Sequence, residues 1–520
     1  MTLDQSIKFT AKFSALTLMG FTLSACATTS DPVDLKTIYD RSAQYHLPDR
    51  NPVIVIPGIL GSKLVDDEAG QTVWGAFRAN YADPNTADGA KLISLSIDPH
   101  NQTEADHVRP DGVLEDLELS LVGFPIKIQA YAGILTTLGA GGYVDESLGL
   151  NSIDYGTDHF TCFQFDYDWR KDITYNAERL KEFIDTRRAF VQRKYKEEFG
   201  IENTEVKFDI VAHSMGGLLT RYYLRYGDEA LPEDGSQPAL TWAGANDVER
   251  AILVTPPNAG SLEAFDQLLK GFNTGRPILP HYSPAILGTF PSIYQLLPRA
   301  RHASVIWDGD ESRPVDNLYD PQLWQKYGWG LSGQDEDTTR TVSQILPDVS
   351  DSNERARIAS DFQAKTLRRA EQFHKTLDRP ARPPEGLDLY LIAGDATDTP
   401  EIISVDSQTG EVDIIREGPG DKTVLRTSAL FDERVGGEWK PTVQTPIDWS
   451  SVLFVPSEHR TITSHPVFED NVLYWLLEAP RYDGANRSVV TPPSSPSPSP
   501  TISPSPVSYT HLTLPTIYSV

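Results

Sequence analysis

FDIVAHSMGGLLTRYYLRYG, residues 208–227, decides the fold. It reads as a strand, then Ala212, His213, Ser214, Met215 and Gly216, then a helix closed by Gly227. A sharp strand-to-helix turn that carries a serine at its tip needs small residues two before and two after, because larger side chains there collide with neighbouring backbone. Ala212 and Gly216 meet that need. Alanine in place of the first glycine of Gly-X-Ser-X-Gly departs from the strict motif, but its methyl group is small. The stretch has the form of a nucleophile elbow.

Working outward, PVIVIPGILGSKL (52–64) is a short β-branched run ended by a Gly/Pro turn, the pattern of a buried parallel strand. Similar runs recur at HFTCFQFDYDW (159–169), VKFDIVAH (206–213), VERAILVTP (248–256), LDLYLIAG (387–394) and SSVLFVP (450–456). Amphipathic helical patterns such as AERLKEFIDTRRAFVQRKY (177–195) lie between several of them. Strands alternating with helices predict an α/β protein with a mostly parallel central sheet. The rhythm stops between Ser261 and about Gly386, where a Pro-rich apolar segment, LYDPQLWQKYGWG (318–330) and a long helix through residues 353–377 stand instead. This predicts core residues 51–261 with a lid at about 66–124, an inserted cap at 262–386, and a second core part at 387–482. In the long helix Ile358, Phe362, Leu367, Ala370, Phe373 and Leu377 approximate one apolar face. That face predicts packing onto the main domain, with His374 beside it in a structural position.

A serine hydroxyl is a weak nucleophile at neutral pH and needs a base, which in turn needs an orienting acid. His459 follows a late strand and precedes a helix, where such a base belongs; His465, next to Pro466 at a helix start, reads as a capping or surface residue. Two acids lie between Ser214 and His459. Asp395 directly follows a strand, and Asp421 sits in the Gly-rich turn GPGDKTV. Spacing leaves both open. Serine, acid and histidine in this order are those of the α/β-hydrolase fold.

Taken together, the motifs resemble the lecithin:cholesterol acyltransferase family over about residues 50–480. PVIVIPGILGSKL is similar to its opening strand and oxyanion loop, AGILTTLGAGGYV (132–144) to the helix before the next strand, and FDYDWR (165–170) to a family hallmark. AHSMGG, VTPPNAGS, GDKTV and the His459 segment follow in family order. The resemblance implies that the acid is Asp421, in the family's Gly-Asp-(Asp or Gly)-Thr-Val turn, and that the backbone N–H groups of Ile59 and Met215 form the oxyanion hole. Two glycines after the first strand, Gly58 and Gly61, suit such a loop. It further implies acyl-ester hydrolysis or O-acyl transfer on lipids, as a lipase, a phospholipase or an acyltransferase, with no cofactor. A carboxylesterase for short soluble esters and a non-catalytic envelope lipoprotein are the alternatives. The lid of the vertebrate members is held by a disulfide that this chain lacks. Trp74 within that segment suits an acyl-chain contact or a buried aromatic equally.

The 520 residues, 39% hydrophobic, suffice for one large core with insertions. A formal charge of −27 would repel a phosphate backbone, which argues against a nucleic-acid partner. No cluster with metal-ligand spacing is visible. At the N-terminus, Lys8 and Lys12, an apolar run too short to span a bilayer, and Leu23-Ser24-Ala25-Cys26 resemble a bacterial lipoprotein signal. The expectation is a signal peptide at 1–25, acylation of Cys26, a tether at 26–50 and anchoring in the cell envelope, with Ala27 favouring the outer membrane. Cys162, the other cysteine, lies in an apolar strand and reads as a buried inert thiol. From about Asp483 the Pro/Ser-rich composition predicts an extended disordered tail. The last stretch, SYTHLTLPTIYSV, looks like cloning read-through and is set aside. A monomer is expected.

Overall fold

Six short apolar runs build the central sheet: β1 (Val53–Ile56), β2 (Cys162–Gln164), β3 (Phe208–His213), β4 (Val248–Val254), β5 (Asp388–Gly394) and β6 (Ser451–Val455). They are the six runs read from the sequence. Across the sheet their order is β2-β1-β3-β4-β5-β6, and every neighbouring pair is parallel. In register, Ile54 faces Ile210, Ala212 faces Leu253, and Leu253 faces Leu391. The computed structural model describes residues 34–480 except 46–48, 78–80, 100–105, 115, 122–123, 130, 147–160, 203 and 274–279. Cys26, the leader, and the tail from 483 lie outside the described residues. The described residues up to Ala479 form one compact unit.

Period-two alternation sends the strand side chains to two buried faces. Val53, Val55, Val211, Ile252, Val254 and Ile392 point to one face. There they meet Ile134, Leu135 and Leu138 of α1 (Ala132–Ala140) and Phe468, Val472 and Trp475 of the C-terminal helix Pro466–Leu477. Ile54, Ile56, Ile210, Ala212 and Leu253 point to the other. That face is covered by α2 (Ile173–Phe199), α3 (Met215–Tyr226) and α4 (Ser352–Leu377). Asp172 starts α2 by accepting the N–H of Thr174, and Gly200 ends it with φ 67°, where a side chain would be strained.

The long helix of the predicted cap, α4, lies against α3. Its buried side carries Ile358, Leu367, Ala370, Phe373 and Leu377, with Phe362 partly buried. The Tyr226 hydroxyl donates to the Thr376 carbonyl at 2.8 Å, and the Tyr222 ring stacks on Phe373. Buried His374 accepts from the Tyr319 hydroxyl and donates to the Gln295 carbonyl, both at 2.7 Å. The segment between β5 and β6 also leaves the main sheet: strands Thr397–Val405 and Val412–Gly420 form an antiparallel hairpin, which pairs with Val305–Trp307 of the insertion. The hairpin carries the chain out and back, so that Gly420 and Asp421 return beside Thr397, just beyond the end of β5. Among the described residues no helix is long and apolar enough to cross a membrane.

Candidate active site

β3 ends at His213, α3 begins at Met215, and Ser214 alone makes the turn with φ 55° and ψ −125°. That backbone region is costly for a residue with a Cβ and persists only where the surroundings hold it. The Ser214 N–H is held by the Val254 carbonyl at 2.8 Å. At Gly216 a Cβ would stand 2.5 Å from the Pro57 carbonyl oxygen and 2.8 Å from that of Ile56, so the elbow closes only with glycine there. Ser214 is buried at the N-terminus of α3, where the helix dipole favours negative charge.

The loop after β6 brings His459 to the serine. Its Nε2 lies 2.9 Å from Ser214 Oγ, and its Nδ1 lies 2.8 Å from Asp421 Oδ2. Asp421 is wholly buried, and its second oxygen accepts the N–H groups of Thr423 at 3.1 Å and Val424 at 2.7 Å. A backbone bond from the His459 N–H to the Asp421 carbonyl, 2.9 Å, latches the two loops together. Asp395, half-buried after β5, makes no hydrogen bond to His459 among the described residues. Its neighbour Gly394 is what admits Asp421: a Cβ at Gly394 would sit 2.5 Å from the Asp421 Cβ. Within the 420–424 turn Lys422 has φ 80°, a left-handed conformation that favours glycine. His465 caps the C-terminal helix, accepting the Val467 N–H at 3.2 Å. Cys162 is buried in β2, where burial pushes its thiol well up.

The loop from Pro57 to Ser62 passes directly over the serine. A Cβ at Gly58 would come within 2.7 Å of Ser214 Cβ and 3.3 Å of its Oγ. Aromatic residues from separate parts of the chain hold this loop. Tyr167 donates to the Pro57 carbonyl at 2.8 Å, Trp74 Nε1 to the Leu60 carbonyl at 2.8 Å, and Trp169 Nε1 to the Ser62 carbonyl at 3.1 Å. The FDYDWR motif thus supports the loop. Its Arg170, fully buried, forks onto Asp168 and also meets Asp106 and the Ile93 carbonyl. Trp74 is a buried aromatic, edge-on to Trp169 and Tyr282. Leu60, at φ 63°, adds a second left-handed non-glycine residue, here in the loop itself. The N–H groups of Ile59 and Met215 enter no hydrogen bond among the described residues, so both remain donors at the serine's flank.

Such an arrangement lets an imidazole take a hydroxyl proton while a buried carboxylate stabilises the charged ring. Two further groups, Tyr131 and His213, touch it without having been assigned a role from the sequence. His213 was visible only as part of the elbow, and no sequence signal links Tyr131 to residues 58 or 213.

The lecithin:cholesterol acyltransferase family matches residues 149–417, just over half of the chain. No curated protein matches. Among solved structures, a chain of the Tle4–Tli4 complex aligns with TM-score 0.52 and 16% identity, covering 82% of this chain and 98% of its own length. Lipase 1 from Pelosinus fermentans aligns with TM-score 0.30 and 12% identity, covering 83% and 99% of the two chains. EstA from Clostridium botulinum aligns with TM-score 0.30 and 11% identity, covering 83% and 88%. At such identities the Tle4–Tli4 likeness is one of fold, and the fold is that of the α/β-hydrolases.

Proposed function

The chain belongs to the lecithin:cholesterol acyltransferase family, and from that premise we propose that it transfers acyl groups from lipid esters through a covalent acyl-enzyme on Ser214. The observation that carries the proposal is the continuous hydrogen-bonded line Asp421–His459–Ser214, with distances of 2.8 and 2.9 Å. His459 Nε2 takes the hydroxyl proton as Ser214 Oγ attacks the ester carbonyl. The tetrahedral oxyanion rests on the N–H groups of Ile59 and Met215. As it collapses, the bond to the leaving oxygen breaks, and the imidazolium returns its proton to the departing alcohol. His459 then activates the acceptor hydroxyl in the same way; water yields a free fatty acid and a lipid alcohol yields a new ester. Asp421 keeps the ring in the tautomer whose Nε2 is free to accept. A lipid donor suits a chain whose N-terminal sequence resembles a lipoprotein signal ending at Cys26, and we propose that a lipid on that cysteine holds the enzyme at the cell envelope.

The test uses the Cys26-truncated protein with radiolabelled phospholipid, with and without sterol. Acyl release in the wild type, absent in Ser214→Ala, is expected, and free fatty acid against sterol ester names the acceptor. A wild type that releases no acyl group from any ester class would sink the proposal. Loss of fatty-acid labelling and of envelope fractionation in Cys26→Ser tests the anchor.

A further inference from the structure

Tyr131 and His213 connect the two loops that flank Ser214. The Tyr131 hydroxyl accepts the Gly58 N–H at 2.7 Å and donates to Nδ1 of His213 at 3.0 Å. His213 then donates from Nε2 to the backbone carbonyl of His459, also at 3.0 Å. The atoms permit one polarity only. Gly58 N–H can only donate, so the Tyr131 oxygen accepts there and turns its own hydrogen towards His213. The His459 carbonyl can only accept, so the His213 hydrogen sits on Nε2 and the lone pair on Nδ1. Both side chains are buried, and the Tyr131 and His459 ring centres lie 5.5 and 4.7 Å from that of His213. Burial, and then the neighbouring His459, press the His213 pKa down to about 3. A neutral ring is what the line needs, because an imidazolium would donate from both nitrogens and refuse the Tyr131 hydroxyl. Burial pushes the Tyr131 hydroxyl up, so it keeps the hydrogen it donates.

We propose that Tyr131 and His213 are positioning residues for acyl transfer, a single polar line that fixes the oxyanion loop at Gly58–Ile59 against the base loop at His459. The proposal rests on the reading of Ser214 as nucleophile. Ile59 N–H is the next amide along the chain from the one that Tyr131 holds, and His459 Nε2 is carried by the residue whose carbonyl His213 holds. One hydroxyl therefore sets, at both ends, the geometry in which oxyanion donor and base converge on Ser214 Oγ. Displacement of a reacting group by about 1 Å costs on the order of 100-fold in rate.

Tyr131→Phe in the full chain deletes one oxygen and tests the line. Its kcat is expected to fall roughly 10- to 100-fold with KM little changed, since no substrate contact is removed. Affinity for an alkyl boronic acid, which forms a tetrahedral adduct on Ser214, should fall by a similar factor. His213→Gln retains an amide donor near the Nε2 position but puts no acceptor at the Nδ1 position that Tyr131 meets, and the double variant should be no slower than the worse single one. A Tyr131→Phe enzyme with wild-type kcat and boronate affinity and only a lower Tm would overturn the proposal. Additive losses in the double variant would overturn it as well, and His213→Gln alone answers the question if Tyr131→Phe does not fold. Ser214→Ala is the separate control: activity retained there would refute the nucleophile, whereas a silent Ser214→Ala beside an unimpaired Tyr131→Phe would refute the positioning line only.

Discussion

Replacing Asp421 by asparagine exchanges one oxygen for an NH2 group, and the surrounding backbone dictates which way the new amide points. Oδ1 of Asp421 receives two N–H groups, from Thr423 at 3.1 Å and Val424 at 2.7 Å, while Oδ2 faces His459 Nδ1 at 2.8 Å. In Asp421→Asn the carbonyl oxygen keeps both backbone bonds, and the NH2 turns to the imidazole. An NH2 donates, so Nδ1 has to accept, and the ring hydrogen moves to Nε2. The nitrogen facing Ser214 Oγ, 2.9 Å away, then has no lone pair for the proton. Flipping the amide would restore the working tautomer but strand two buried N–H groups, at about 1–3 kcal/mol each. Together about 2–6 kcal/mol oppose the flip, which leaves the productive orientation in roughly one molecule in 30 to one in 2.5 × 10⁴. The analogous change in a serine protease triad lowers kcat by about 10⁴. A fall in kcat between about 30-fold and 10⁴-fold is therefore expected, with the fold intact. Initial rates on a p-nitrophenyl ester give kcat and KM, and a thermal melt checks folding. A folded Asp421→Asn enzyme within threefold of wild type, ~0.6 kcal/mol, would refute the reasoning. Asp395→Asn, which removes no bond to His459, should stay near wild type.

Gly58→Ala should be folded yet at least roughly 100-fold slower, because its methyl would lie 2.7 Å from Ser214 Cβ and push away the loop carrying the Ile59 donor; steady-state kinetics beside a melt would show it, and unchanged kcat would count against the oxyanion loop. Arg170→Met should cost about 3–5 kcal/mol in urea unfolding, since it leaves the carboxylate of buried Asp168 without its forked partner; a loss under about 1 kcal/mol would show that Lys171, whose Nζ lies 3.7 Å from Asp168 Oδ2, suffices. Stability should also fall as pH drops from about 6.5 towards 3. In that window the unfolded chain protonates its histidines while buried His213, held at about 3, stays neutral. His374 is likewise held well below its ordinary value by burial and then Arg299, with Arg301, Asp378 and Tyr319 also facing it. Each such histidine contributes a slope of up to about 1.4 kcal/mol per pH unit, so His374→Gln should flatten the urea midpoint against pH. The same slope in wild type and His374→Gln would remove His374 from the explanation.

How much of this was legible in the sequence follows from how local each determinant is. The six strands could be read because parallel strands buried on both faces are written as continuous apolar runs, and α2 because its buried positions keep a helical period. Ser214 could be placed because its turn is steric and short-ranged, needing only a strand, small neighbours and a helix. His459 needed one relation more, its place after the last strand. The choice of acid was not local. Asp395 follows β5 in sequence, yet the 397–420 hairpin carries the chain away and returns Asp421 to the same strand end, where Gly394 leaves room for it and His459 meets it. Only the tertiary structure decides such a competition, because pairing at the hairpin brings together groups that are distant in sequence. Tyr131 lies further still from inference. Its partners at 58 and 213 belong to other strands' ends, and a single hydroxyl with two hydrogen bonds leaves no periodicity, composition or spacing by which a sequence could announce it.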